Sequence, residues 1–197
     1  MLTIAILAGG NSAEAQVSRN SAAQIEQALA KSGHATQVIE LDTNCAQALL
    51  TMHPDVVFPA LHGPPGEDGT VQGLLEMLYR PSVGSDVRGS ALAMDKAIAK
   101  SVFIRRGLPA CEDVIVHPSD DLFDAAETIQ AKLGPRIALK PLNQGSAIGV
   151  QLLPTGRNIA AALKATIEYG SCLVEPYLEG REMTVGVLQL GSKCHPH

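Results

Sequence analysis

The sequence contains no tryptophan, and aromatic residues make up only 3% of it, so a core must be assembled from Leu, Ile, Val and Ala. Charged residues are also sparse, at 18% against 46% apolar, which excludes the composition of a disordered chain. The four cysteines, Cys45, Cys111, Cys172 and Cys194, stand far apart and form no C-x-x-C pair. That argues against a disulfide framework or a closed zinc site and for free thiols in a reducing cytoplasm. No apolar run is long enough to span a bilayer. The opening MLTIAILAGG lacks the basic n-region and longer apolar stretch of a signal peptide. Internal repeats and low-complexity tracts are absent too. The net charge of −5 argues against bulk binding to nucleic acid or an anionic membrane, while leaving room for a small polyanion held by local lysines. The expectation is a soluble cytoplasmic protein of one or two domains, with no nucleic-acid or membrane partner.

What is present alternates between two periods. LTIAILA (2–8) is a continuous apolar run suited to a strand buried on both faces. A helix follows to about Lys31, with Gly33 placed for its C-terminal cap. TQVIEL (36–41) and DVVFPA (55–60) read as further strands, and 70–79 as a helix. Strands alternating with helices predict βαβ units and an open parallel sheet, Rossmann-like, over residues 1–87. A second, α+β unit is expected over 88–178. SALAMDKAIAKSVFIRRG is helical by pattern, VIVH (114–117) is a strand, and Ser119 is a candidate N-cap for a helix through Leu133. RIALKP (136–141), VQLL (150–153) and SCLVEPY (171–177) read as strands, with a helix over 158–169. EMTVGVLQL (182–190) reads as a strand with no returning partner. Residues 179–197 therefore read as the beginning of a third unit, cut within a domain.

The most expensive local sequence is LHGPPGEDGTVQG (61–73), a glycine- and proline-rich loop between two core elements. Ligands of open α/β sheets sit beyond the C-terminal ends of the strands, where this loop and GGNSAEAQVS both fall. Glu14 could bind a substrate ammonium group there, or interact with the start of a helix. His62 could donate to a substrate or phosphate oxygen, or only shape the loop. Glu67 and Asp68 read as helix-capping acids, with Asp68 or Thr70 at the helix start. Lys140 ends an apolar strand, where a charge is costly unless it meets an anion. NQGSAIG, with Gly145 and Ser146, follows it and could cradle phosphates with backbone N–H groups. Lys96 is a second candidate cation, or a solvated helix lysine. Glu175 and Leu178 at a strand exit, and Glu182 beyond, could meet a nucleoside, or be a strand end and a turn. CHPH (194–197) matches no closed metal site.

Together these segments resemble the D-alanine–D-alanine ligases of the ATP-grasp superfamily. HGPPGEDGTVQG resembles the family's H-G-x-x-G-E-D-G signature, LAGGNSAEAQVS its first loop and SALAMDK the segment bearing its first ATP lysine. KPLNQGSAIGV resembles the phosphate-covering loop, and LVEPYLEGREMTVGV the adenine hinge with its ribose-binding acid. The resemblance implies a ligase that phosphorylates one D-alanine with ATP and lets the amine of a second attack the acyl phosphate, giving the dipeptide used in peptidoglycan. It implies Glu14 and His62 around the first D-alanine, with Ser146 orienting that substrate and a closing loop. Lys96, Lys140, Gly145 and Ser146 would lie at the ATP phosphates, Glu175 and Leu178 at adenine, and Glu182 at ribose. It also implies a homodimer and Mg2+, whose ligands are expected beyond residue 197, because no Asp or Glu follows Glu182. This 197-residue chain by itself is expected not to catalyse the reaction. Ala147 and Pro176 depart from the family, which often has serine and lysine at these positions. Joining D-alanine to D-lactate or D-serine, another ATP-grasp activity, or a non-catalytic nucleotide-binding or dimerising module are the alternatives.

Overall fold

The computed structural model describes residues 1–191 and 193–196. The first sheet is parallel, in the order β2-β1-β3, formed by β1 (Thr3–Ala8), β2 (Ala35–Glu40) and β3 (Val56–Pro59). The apolar run of β1 is explained by its central place. Its alternate residues serve two cores: Ala5 and Leu7 on one face, Ile4, Ile6 and Ala8 on the other. The second face is covered by α1 (Ala15–Lys31), which buries Ala22. The first face is covered by α2 (Cys45–Met52) and α3 (Thr70–Met77), which bury Leu49, Val71 and Leu75. Helix α2 was not anticipated, although Cys45 and Leu49 are the i, i+4 pair that marks its buried side.

The second sheet is wholly antiparallel, in the order β4-β7-β5-β6. Its strands are β4 (Val114–Val116), β5 (Ile137–Pro141), β6 (Gln151–Leu153) and β7 (Cys172–Pro176). Helices α6 (Leu122–Leu133) and α7 (Ile159–Ile167) pack on one face, on a core of Val116, Ile129, Ile137, Leu139, Leu163, Cys172 and Val174. The opposite face, carrying Lys140, Leu173 and Glu175, turns toward the site.

Four local expectations are corrected. The helix read through 90–107 is two, α4 (Val87–Met94) and α5 (Lys96–Arg105). Asp95 leaves the helical region (φ −84°, ψ 109°), and its carboxylate accepts from the N–H groups of Ala97 and Ile98, so it starts a new helix. The N-cap of α6 is Asp121, not Ser119. Its carboxylate accepts from Phe123 and Asp124 and also meets the positive end of the helix dipole. The N-cap of α3 is Gly69 in the left-handed region, while Asp68 accepts from Thr70 N. The expected last strand shortens to β8 (Val187–Leu190) and does find a partner, β9 (Lys193–Pro196), across a turn at Gly191. Both strands are exposed throughout. Ser192 and His197 lie outside the described residues. No helix among the described residues is long and apolar enough to cross a membrane.

Cys172 is fully buried in β7, and this pushes its thiol pKa from 9.0 up to about 11. A group that holds its proton more tightly when folded contributes stability that is intact below pH 9 and lost as pH rises toward 11. The expected cost is about 1.4 kcal/mol by pH 10. Denaturation series from pH 7 to 10.5 should therefore fall less steeply for Cys172→Ala than for wild type. Parallel slopes would refute this.

Candidate active site

The site forms where β1 and β3 end. Gly9 and Gly10 take positive φ (75° and 87°), so the chain turns directly off the strand into α1. The buried hydroxyl of Ser18 accepts from Gly9 N at 2.9 Å and donates to Ala60 O at 2.7 Å, stapling the two strand exits together. Ser12 Oγ donates to His62 O at 2.8 Å, which laces the first loop to the glycine-rich loop.

That lacing fixes Glu14, a carboxylate only 6% exposed. Two glycines close around it. A Cβ on Gly63 would lie 2.8 Å from Glu14 Oε2, and one on Gly145 would lie 3.3 Å away. Gly63 also has φ +67°. The loop of 61–73 is costly because backbone must pass this close to a buried acid. Gly66 shows the same constraint, since a Cβ there would sit 2.3 Å from Leu61 Cβ. The two acids of the loop divide their work: Asp68 accepts from Thr70 N at the start of α3, while Glu67 Oε2 accepts from Gly63 N at 2.7 Å and closes the loop on itself.

Ser146, 132 residues further along the chain, donates its hydroxyl to Glu14 Oε1. The loop after β5 is thereby brought to the first sheet. Ser146 and Ala147 both take positive φ (43° and 58°), a conformation that costs energy for residues with a Cβ. A cavity of about 300 Å³ opens here, bounded by Asn11, Glu14, Gly63, Gln144 and Tyr169. His62 does not line it. Its Nε2 lies 3.2 Å from Ser21 Oγ on α1, so its ring is turned to the helix.

A second cavity, of about 460 Å³, lies between α5 and the second sheet, and Lys96, Lys100, Phe103, Cys111, Lys140 and Glu175 line it. Lys96 is half-buried and donates to Gln144 O at 2.6 Å and Leu142 O at 3.3 Å, tying the loop after β5 to the start of α5. Burial, and then the neighbouring Lys140, push its pKa down, and Asp95 offsets part of this. Lys140 pairs with Glu175 Oε2 at 2.7 Å. The other carboxylate oxygen, Oε1, pairs with Lys100 at 2.7 Å, and Lys100 also reaches Asp113 Oδ1 at 2.7 Å. Burial pushes the Glu175 carboxyl up, but its bonds from Lys100 and Lys140 outweigh this and hold it below its ordinary value.

Lys100 and Asp113 escaped the sequence reading. The available signal was spacing: Lys100 stands four residues after Lys96, hence on the same helix face. Lys96, Lys140 and Glu175 meet at one cavity, and Gly145 and Ser146 meet Glu14 beside it. Leu178, 70% exposed, and the exposed Glu182 line neither cavity. Cys194 and His195 of CHPH are exposed, and no group of three or more His, Cys, Asp or Glu among the described residues could hold a metal.

A parallel sheet, an antiparallel sheet and a lysine-lined cleft beside two largely buried carboxylates, Glu14 and Glu175, define the class as an α/β protein with a cationic cleft. Known proteins narrow the class. Two family models match, the D-ala D-ala ligase N-terminus over residues 43–85 and the D-ala D-ala ligase C-terminus over residues 102–195. A D-alanine–D-alanine ligase of Coprothermobacter proteolyticus is 39% identical over 197 residues, spanning 96% of this chain and 63% of that protein. One of Acidiphilium cryptum is 43% identical over 193 residues, spanning 96% and 62%. The solved D-alanine-D-alanine ligase of Coxiella burnetii superposes with a TM-score of 0.85 at 28% identity, covering 98% of this chain and 69% of that one. The chain belongs to the D-alanine–D-alanine ligase family, and it spans a little over three fifths of these curated relatives.

Proposed function

We propose that this chain carries the first D-alanine site and much of the ATP site of a cytoplasmic ligase that makes D-alanyl-D-alanine for peptidoglycan. The carrying observation is the meeting of Glu14 with Ser146 at the edge of a cleft holding Lys96 and Lys140. An amino acid bound by its ammonium group at Glu14 presents its carboxylate toward that cleft. ATP supplies the phosphoryl group: the substrate carboxylate oxygen attacks the γ-phosphorus and ADP leaves with the broken P–O bond. The amine of a second D-alanine then displaces phosphate from the acyl carbon, losing a proton as the amide forms.

The chain's own residues act by holding and excluding. Lys96 and Lys140 balance the phosphate charge, and Gly145 with Ser146 bring loop backbone to it. Glu175 and Leu178 meet adenine and Glu182 the ribose, which requires the exposed segment after β7 to fold onto the nucleotide. His62 shapes the amino-acid subsite from behind through Ser12 and Ser21. The glycine-rich loop keeps water from a hydrolysable acyl phosphate. Pro176 has no N–H to offer, so backbone donors to the base come from its neighbours. The family implies magnesium, which would help neutralise the phosphate charge beside the lysines. In this ligase residues 1–87 form the substrate unit, 88–178 the nucleotide unit and 179–197 the start of a third, with a homodimer formed through the first.

Glu14→Gln keeps the shape and removes the charge. A charge-assisted hydrogen bond lost in this way costs about 1.5 to 3 kcal/mol, so D-alanine affinity should fall roughly ten- to hundredfold while ATP affinity holds. Titration calorimetry with each ligand checks this. Unchanged D-alanine binding would overturn the substrate assignment.

A further inference from the structure

Lys100 is the least exposed lysine at the site, with 10% of its side chain accessible, and the only lysine there gripped by two carboxylates. Lys140 has one carboxylate partner, and 35% of its side chain is accessible. Both hold Glu175, one on each oxygen. An entering polyphosphate competes for both cations, and the two differ in what they must give up. Lys140 breaks one partly exposed pair and can turn to the phosphates. Lys100 would have to abandon both Asp113 and Glu175 from within the fold, so it stays.

When Lys140 turns, Glu175 Oε2 loses its donor while Oε1 keeps Lys100. A carboxylate so held is ionised and can only accept, which suits a base bearing an amino group and repels one bearing a keto oxygen at the same place. Without Lys100, a largely buried Glu175 would keep Lys140 for itself or take up a proton, and either removes the discrimination.

Resting on the nucleotide reading above, we propose that Lys100 is the positioning residue that keeps Glu175 ionised and aimed at the base, so that it sets the preference for adenine over a keto purine.

The test compares ATP, ITP and inorganic tripolyphosphate by calorimetry on the 197-residue chain, as wild type, K100M and K100R. Wild type should prefer ATP over ITP by about tenfold or more. K100M should bring that preference to within about threefold, and K100R should restore it. A purely structural lysine would lower the melting temperature and leave the ratio alone, and that outcome overturns the proposal. If K100M does not fold, D113N takes its place. It removes only the second anchor of Lys100 and should lower the preference partway, and an unchanged ratio there also overturns it. If wild type prefers ATP and K100M does so equally, only the role of Lys100 falls. If wild type binds tripolyphosphate as well as it binds either nucleotide, the nucleotide reading falls and takes this inference with it.

Discussion

Leu139→Ala is expected to destabilise the chain by about 3 kcal/mol, within the range for removing a buried leucine side chain. Leu139 is fully buried in β5, which has β7 on one side and β6 on the other. Its side chain enters the core shared by Ile129, Ile137, Leu163 and Val174. Strands on both sides hold the backbone, so the sheet cannot collapse into the space and the cavity term is paid nearly in full. Leu152→Ala, on the neighbouring β6 but 56% exposed, should change stability by no more than about 0.5 kcal/mol. Urea denaturation of both variants checks the pair. A Leu139→Ala loss below about 1 kcal/mol would show that this sheet is not the rigid floor of the cleft.

The second large effect is on nucleotide affinity. The double variant K96M/K140M should bind ATP about a hundredfold more weakly than wild type, each single change giving about tenfold. Two unit charges 4 Å apart attract by about 4 kcal/mol at an effective dielectric of 20. The net is smaller, because Lys140 must first leave Glu175 and Lys96 must turn from its carbonyl partners Leu142 and Gln144. Added salt should weaken ATP binding by wild type more than by the double variant. Lys31→Met, at the far end of α1, is the control and should change nothing. A double variant within threefold of wild type would remove the phosphate role from both lysines.

Much of this site could be read locally. In IALKP and CLVEP, side chains alternate between the two faces of a strand. Ile137, Leu139, Cys172 and Val174 therefore go to the core and Lys140 and Glu175 to the cleft. The run of glycines around Pro64 and Pro65 likewise announced a close backbone approach, and the buried carboxylate of Glu14 is what it approaches. The break at Asp95 was also visible in principle, since Asp is a strong N-cap, but the apolar period runs on through it and hides the boundary.

Local periodicity alone sets which residue types occupy each face and each strand exit, because the periods of helix and strand are properties of neighbouring residues. Which of those residues meet was decided only by the tertiary structure. Antiparallel pairing sets Ala138 opposite Glu175 and so puts Lys140 diagonally within reach of it, a register that follows from burying both strands against α6 and α7. The packing of α5 on the open face of that sheet brings Lys100 to the same carboxylate. Ser146 reaches Glu14 across 132 residues because the loop after β5 is tied to Lys96. These contacts depend on how two separately built cores are set against each other, and no local period encodes that.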